Sequence, residues 1–165
     1  MSIPLDLDCY PLILQGFPRG RKSEDDLIAL FDRMRAVGRR AVETGAIHVV
    51  VALGDEDFNA AERKLIAARM AQAPADEAAC VVGAFAVIEN TFARGVLTAL
   101  KWLAPSVIPI VPASTPDEAI DLAEACLRSN GVVPAPIVVE RARIHARKLH
   151  DGMRRSSPPS AHPPG

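Results

Sequence analysis

Hydrophobic and polar positions follow two periods along the chain, and each change of period predicts a strand followed by a helix. The clearest case is the apolar stretch 78–105, whose period changes at residues 89–91. Its first part is continuously apolar, which is typical of a strand buried on both faces. Its second part predicts a helix, because apolar residues recur there at helical spacing: Phe92, Val96, Ala99, Leu100 and Leu103. This stretch is predicted to form the centre of the core.

Four other apolar segments predict the remaining strands. Residues 3–8 and 10–17 each contain a proline, which indicates an antiparallel pair at a sheet edge. Residues 46–53 are almost unbroken in apolar character and predict a central parallel strand. Its single histidine, His48, is interpreted as a hydrogen-bonded core residue, because no second ligand type stands at a usable spacing. Residues 107–111 lie between prolines and predict another edge strand.

Helices are predicted where a capping residue precedes an apolar stripe. The three clearest start signals are Ser23, Asn59 with Glu62 as a capping box, and Thr115 before a proline. Gly45 and Asn130-Gly131 are the matching stop signals. The residues 74–77 between two such elements are predicted to form a loop. Strands and helices together predict an α/β fold with a single mixed, mostly parallel sheet of about five strands, helices packed on it, and a C-terminal helical appendage.

The charge distribution divides the chain into three parts. Residues 137–165 contain six basic and two acidic residues, so their net charge is +4. The whole chain has a net charge of −1, and the part before residue 137 therefore has a net charge of −5. We expect an α/β domain over residues 1–130, a linker and basic helix over 131–155, and a flexible tail rich in proline and serine over 156–165. The basic helix lacks interleaved aromatic residues, so nucleic-acid binding is not expected, while self-association stays open.

Composition and cysteine usage favour a protein of a reducing cytoplasm. The chain of 165 residues is long enough for one packed domain. Cys9, Cys80 and Cys126 are widely spaced and form no CxxC pair, which is typical of buried thiols in a reducing compartment. The sequence has no signal-peptide pattern and no apolar stretch of the length that a membrane span needs.

Motifs for catalysis are not found, and the sequence predicts no enzyme, no cofactor and no metal site. A nucleophile elbow, a glycine-rich phosphate loop and HExxH are all missing from the sequence. The acidic loop Asp55-Glu56-Asp57 resembles a site for Mg²⁺ or Ca²⁺, but one such cluster supplies too few oxygen ligands. Acidic residues just before a helix are also favoured by the helix dipole, which explains them without a metal ion.

The order of the predicted elements over residues 3–129 resembles the STAS fold of anti-sigma-factor antagonists and of bacterial SpoIIAA-like proteins. Three segments carry the resemblance: HVVVALGDEDFNAAERKLIAARM, ENTFARGVLTALKWLAP and STPDEAIDLAEACL. In STAS antagonists the loop after the central strand opens a helix with Asp-Ser, and a partner kinase phosphorylates that serine. The corresponding residues here are Asp57-Phe58-Asn59-Ala60. The resemblance therefore implies a partner-binding surface at this loop without the phosphorylatable hydroxyl.

Two functions are compatible with these patterns. The first is a non-enzymatic regulatory or scaffolding module that binds a protein partner or itself. Its surface would gather at the carboxyl ends of parallel strands, where the candidate residues are Asp55, Asp57, Asn59, Thr91, Arg94 and Lys101. The second is a carrier of a small molecule or lipid in an apolar cavity between sheet and helices, with Arg94 or Lys101 binding an anionic group.

Overall fold

The computed structural model describes residues 2–54, 58–88 and 110–155, which form a five-stranded mixed sheet with helices. The strands are β1 (Leu5–Asp6), β2 (Leu12–Phe17), β3 (His48–Gly54), β4 (Val81–Val87) and β5 (Ile110–Ala113). They lie in the sheet in chain order. β1 is antiparallel to β2 and the other neighbouring strands are parallel, so the predicted fold class is confirmed.

The helices in the described residues are α1 (Glu24–Thr44), α2 (Ala60–Ala71), α3 (Ala75–Ala79), α4 (Pro116–Ser129) and α5 (Pro136–Arg155). The predicted caps are present, since the Ser23 and Thr115 hydroxyls each accept a backbone N–H three residues later at 3.1 Å. The prediction of a loop over residues 74–77 was wrong, because α3 begins within it. A helix of five residues is too short to show a periodic apolar stripe. The helix predicted after residue 91 lies outside the described residues.

Both faces of the sheet are covered by helices. On one face, paired residues of β2 and β3 such as Leu12 and Val49 form the larger core with α4 and α5. On the other face, Ile3 packs with Leu27 and Leu30 of α1, next to partly buried residues of α2. In this arrangement α1 connects β2 to β3, and α2 with α3 connects β3 to β4; crossovers of one hand between neighbouring parallel strands place such helices on the same face. The arrangement places the N-termini of α1 and α2 at the same edge of the sheet.

α5, the basic helix of the sequence analysis, packs against β2, β3 and α4. Its buried stripe consists of Val139, Ala142, Ala146 and His150. Two arginines on its polar side pair with aspartates of α4: Arg147 with Asp117 at 2.8 Å, and Arg143 with Asp121. Exposed pairs of this kind each contribute less than about 1 kcal/mol, so the apolar stripe contributes more of the stability. None of the described helices has the length and apolar character that crossing a membrane requires.

His48 lies at the start of β3 and is completely buried. Neither ring nitrogen has a hydrogen-bond partner among the described residues, so the hydrogen bond expected from the sequence is not found there. The aromatic ring of Tyr10 lies 6.1 Å from the imidazole, centroid to centroid. Burial lowers the pKa of His48 from 6.5 to about 4, because it disfavours the charged imidazolium.

Candidate functional site

The carboxyl ends of β2 and β3 form the edge at which the candidate site lies. The two strands are parallel, and their last residues, Phe17 and Gly54, are paired in the sheet. The chain continues from each strand into a helix, so the starts of α1 and α2 come together at this edge. Phe58, just before α2, contacts Phe17 edge to face with ring centroids 5.0 Å apart. This aromatic pair fixes the approach of the α2 start to the end of β2.

Glu62 connects the two helix starts. Its side chain is only 5% exposed, and both carboxylate oxygens accept hydrogen bonds. Oε2 accepts the backbone N–H of Asn59 at 2.9 Å, while the Asn59 side chain accepts the N–H of Glu62 at 3.0 Å. This is the predicted capping box. Oε1 accepts the backbone N–H of Lys22 at 2.7 Å and thereby holds the loop before α1 against α2.

Lys22 is buried in the same place, although a lysine is almost never fully buried unless it is paired. Its ammonium nitrogen lies 4.6 Å from the centroid of the Phe58 ring, a geometry in which a cation is attracted to the ring face. The aliphatic stem of the side chain is then covered while the charge stays close to an aromatic surface. Lys22 thus packs against Phe58 at the carboxyl ends of β2 and β3 and also supplies positive charge there.

A cleft of about 620 Å³ opens between the N-termini of α1 and α2. Its apolar lining consists of Leu27, Ala61, Leu65 and Ala68. Its polar lining consists of Arg21, Lys22, Ser23, Glu24, Asn59, Glu62 and Lys64. A smaller cleft of about 250 Å³ adjoins it and shares Arg21, Lys22 and Ser23. Together the two clefts, here called the groove, border the loop 18–23.

The positive charge of the groove comes from side chains rather than from the α1 dipole. The first turn of α1 carries Glu24, Asp25 and Asp26, which neutralise the partial charge of the helix N-terminus. The Ser23 hydroxyl donates a hydrogen bond to Asp26 at 2.6 Å, and this bond lowers the pKa of the Asp26 carboxyl. An anion is therefore not favoured at the α1 start itself. Arg21 and Lys64, both exposed, supply the cationic rim instead.

Of the six predicted site residues, the structure places Asn59 in the cleft. Asp55, Asp57, Thr91, Arg94 and Lys101 lie outside the described residues, so their expected convergence stays a prediction. The other lining residues were not predicted as site residues, among them the charged side chains of Arg21, Lys22, Glu62 and Lys64. The sequence does contain a pattern that could have identified Arg21. The basic turn over residues 18–22 directly follows β2, whose carboxyl end lies at the site.

The lining of the cleft, as far as the structure describes it, contains no histidine or cysteine. Both oxygens of its buried carboxylate, Glu62, accept backbone hydrogen bonds, while the side chains of Glu24 and Lys64 are exposed to solvent. No family model, curated protein or solved structure matches this chain, so the resemblance to STAS domains stays a prediction from the sequence.

Proposed function

We propose that this protein is a non-enzymatic regulatory or scaffolding module that binds a segment of a partner protein in the cleft between α1 and α2. The segment carries acidic side chains together with apolar ones. The observation behind this proposal is the composition of the cleft, which combines an apolar floor with a basic rim at the junction of two helix starts.

The apolar floor supplies the affinity in this proposal. Ala61, Leu65 and Ala68 of α2 line the cleft with side chains that are partly or fully exposed, while Leu27 of α1, which also lines it, is only 1% exposed and already packed in the core. Apolar side chains inserted between two helices remove surface from water, which stabilises a complex by roughly 25 cal/mol for each Å² buried. An amphipathic partner segment would use this surface in the way that peptide-binding grooves accept the apolar face of a helix.

The basic rim supplies orientation and rate of association. Arg21 and Lys64 lie on the two sides of the cleft, one before α1 and the other within α2. Opposite charges on a partner would be attracted to both sides at once, which raises the association rate and disfavours basic partners. The predicted STAS resemblance agrees with this location, because it implies a partner surface around Asn59.

The experiment compares two double variants with the same change in charge. Arg21→Glu with Lys64→Glu reverses the rim, while Arg39→Glu with Lys148→Glu reverses two exposed cations outside the cleft. Each tagged protein is purified gently from its native cells, and bound proteins are measured by quantitative mass spectrometry. The partner segment is then synthesised as a peptide, and its affinity is measured by fluorescence anisotropy at several salt concentrations.

We expect wild type and the Arg39/Lys148 variant to bind the peptide equally. The rim variant should bind at least about tenfold more weakly, and wild-type binding should weaken with added salt. Equal binding by both double variants would contradict the proposal. Native mass spectrometry of the same samples distinguishes the alternative, since a bound mass of a few hundred daltons in place of a protein would indicate a small-molecule or lipid carrier.

A further inference from the structure

Three side chains with metal-binding atoms converge outside the cleft: Asp6, Asp8 and His145. One ligand atom from each lies within 4.8 Å of the other two. Nδ1 of His145 is 2.7 Å from Oδ2 of Asp6, although the residues are 139 positions apart in the chain. None of the three lines the cleft proposed to bind a partner.

The fold holds two of these side chains in place. Asp6 belongs to β1, where it pairs with Leu14 of β2. His145 belongs to α5, and its neighbour Ala146 is completely buried on the sheet. Asp6 and His145 are each about one-quarter to one-third exposed, at 26% and 31% of their side-chain surface. The imidazole and the carboxylate are thus presented from two packed elements, and a solvent path to them is open.

Asp8 is the exposed member of the group. Among the described residues its carboxylate has no ion pair and no hydrogen bond. Its backbone N–H donates to Oδ1 of Asp6 at 2.9 Å, which orients the Asp6 carboxylate toward His145 through its other oxygen. A simple ion pair between β1 and α5 would use Asp6 and His145 and leave Asp8 without a role.

We propose that Asp6, Asp8 and His145 form a binding site for a divalent transition-metal ion. One imidazole nitrogen with two carboxylate oxygens suits Zn²⁺ and its first-row neighbours, whereas Mg²⁺ and Ca²⁺ take oxygen ligands. Bonds of about 2.1 Å to zinc place tetrahedral ligand atoms roughly 3.4 Å apart. Metal binding would replace the proton between Nδ1 of His145 and Oδ2 of Asp6 and would widen their 2.7 Å separation to this spacing. Water would complete the coordination.

The site would connect the first strand of the sheet to the last helix. A metal ion that binds only the folded state stabilises it, because its binding free energy adds to that of folding. The proposed ion would therefore raise the melting temperature. This inference does not depend on the proposed partner cleft, and the two can fail separately.

The test uses the full-length chain with its purification tag removed, stripped with a chelator and exchanged into a buffer that does not bind metals. Zn²⁺ is titrated calorimetrically, and Co²⁺ and Mn²⁺ are titrated as further probes. The variants are Asp8→Asn and His145→Gln, and the control is Asp151→Asn, which removes the same charge from an exposed position of α5. Circular dichroism establishes that each variant is folded.

Wild type and Asp151→Asn are expected to bind one equivalent of Zn²⁺ and to melt at a higher temperature with it. Asp8→Asn and His145→Gln should each weaken binding at least about tenfold. Asp8→Asn is the decisive variant, because the Asp8 carboxylate makes no hydrogen bond and no ion pair to any other described residue, so its loss should not affect folding. The absence of saturable binding by Zn²⁺, Co²⁺ and Mn²⁺ would overturn the proposal. Wild-type affinity in either variant would overturn it too, since the ion would then lie elsewhere.

Discussion

The backbone N–H of Lys22 donates a 2.7 Å hydrogen bond to the carboxylate of Glu62, 40 residues further along the chain. Glu62 is the buried residue of α2, and its other oxygen accepts the N–H of Asn59. One carboxylate therefore satisfies donors from the loop before α1 and from the start of α2. The relative position of the two walls of the cleft depends on this residue.

Replacing Glu62 by alanine should destabilise the protein by roughly 2–3 kcal/mol, because the Lys22 and Asn59 N–H groups lose their acceptor at a buried place. Urea denaturation followed by circular dichroism measures this loss. Glu43→Ala, at an exposed position near the end of α1, is the matched control and should change stability by less than about 0.5 kcal/mol. Similar values for both variants would show that the carboxylate does not hold the two helix starts together.

Gly54 should tolerate alanine much less well than Gly131 does. Both have positive φ, 109° and 82°, so both substitutions bring conformational strain. A Cβ at residue 54 would clash with the carbonyl oxygen of Phe17, whereas nothing lies within 4 Å of a Cβ at residue 131. We expect losses of about 3 kcal/mol for Gly54→Ala and about 1 kcal/mol for Gly131→Ala in denaturant titrations. Equal losses would mean that the strands separate easily at this edge.

Acid should destabilise the protein through His48. Its pKa is about 4 in the folded state against 6.5 for the unperturbed group. Between these values the unfolded chain binds a proton that the folded protein does not, so stability decreases as the pH falls through this range. This one group accounts for about 2 kcal/mol between pH 8 and pH 5.

The variant His48→Leu lacks the imidazole and therefore the pH-dependent destabilisation that the imidazole causes. The stability of this variant should depend less steeply on pH than that of wild type between pH 8 and pH 5. Denaturant titrations at pH 8, 6 and 5 compare the two slopes, which separates the titration of His48 from a constant effect of the substitution on the core. Parallel curves for the two proteins would show that His48 is hydrogen-bonded or hydrated in solution.

α5 should not accept a larger side chain on its buried stripe. Ala146 is completely buried between this helix and the sheet, so Ala146→Leu overfills the core and should cost about 1–3 kcal/mol. Lys148→Leu is the control: it introduces leucine at an exposed position of the same helix and should change the stability little. The difference in thermal melting between the two variants measures how firmly α5 is packed. Equal melting temperatures would indicate that α5 leaves the sheet in solution.

Features encoded by neighbouring residues were predictable from the sequence. The caps at Ser23, Asn59 and Thr115 each depend on residues three positions apart, and all three were confirmed. The parallel sheet was predictable because continuous apolar segments alternate with amphipathic ones. Its antiparallel edge was predictable from the proline content of the first two strands.

Features that depend on distant residues were not predictable in this way. The capping box identified Glu62, but the bond from Lys22 to its second oxygen exists only after β2 and β3 have paired. The approach of His145 to Asp6 requires α5 to lie on β2, which the charged residues of that helix did not indicate. Alanines at residues 142 and 146 provide its close contact, and small side chains give a weak apolar signal in a sequence.

The order of the strands has a consequence for synthesis on the ribosome. Each strand from β2 onward pairs with the strand made before it, so the sheet can grow from one side as the chain emerges. The face formed by residues such as Leu12, Leu14 and Val49 is covered by α4 and α5, which follow β5 in the chain. A nascent chain that ends before residue 136 would therefore leave the part of this apolar face that α5 covers accessible to chaperones, and emergence of α5 would cover it.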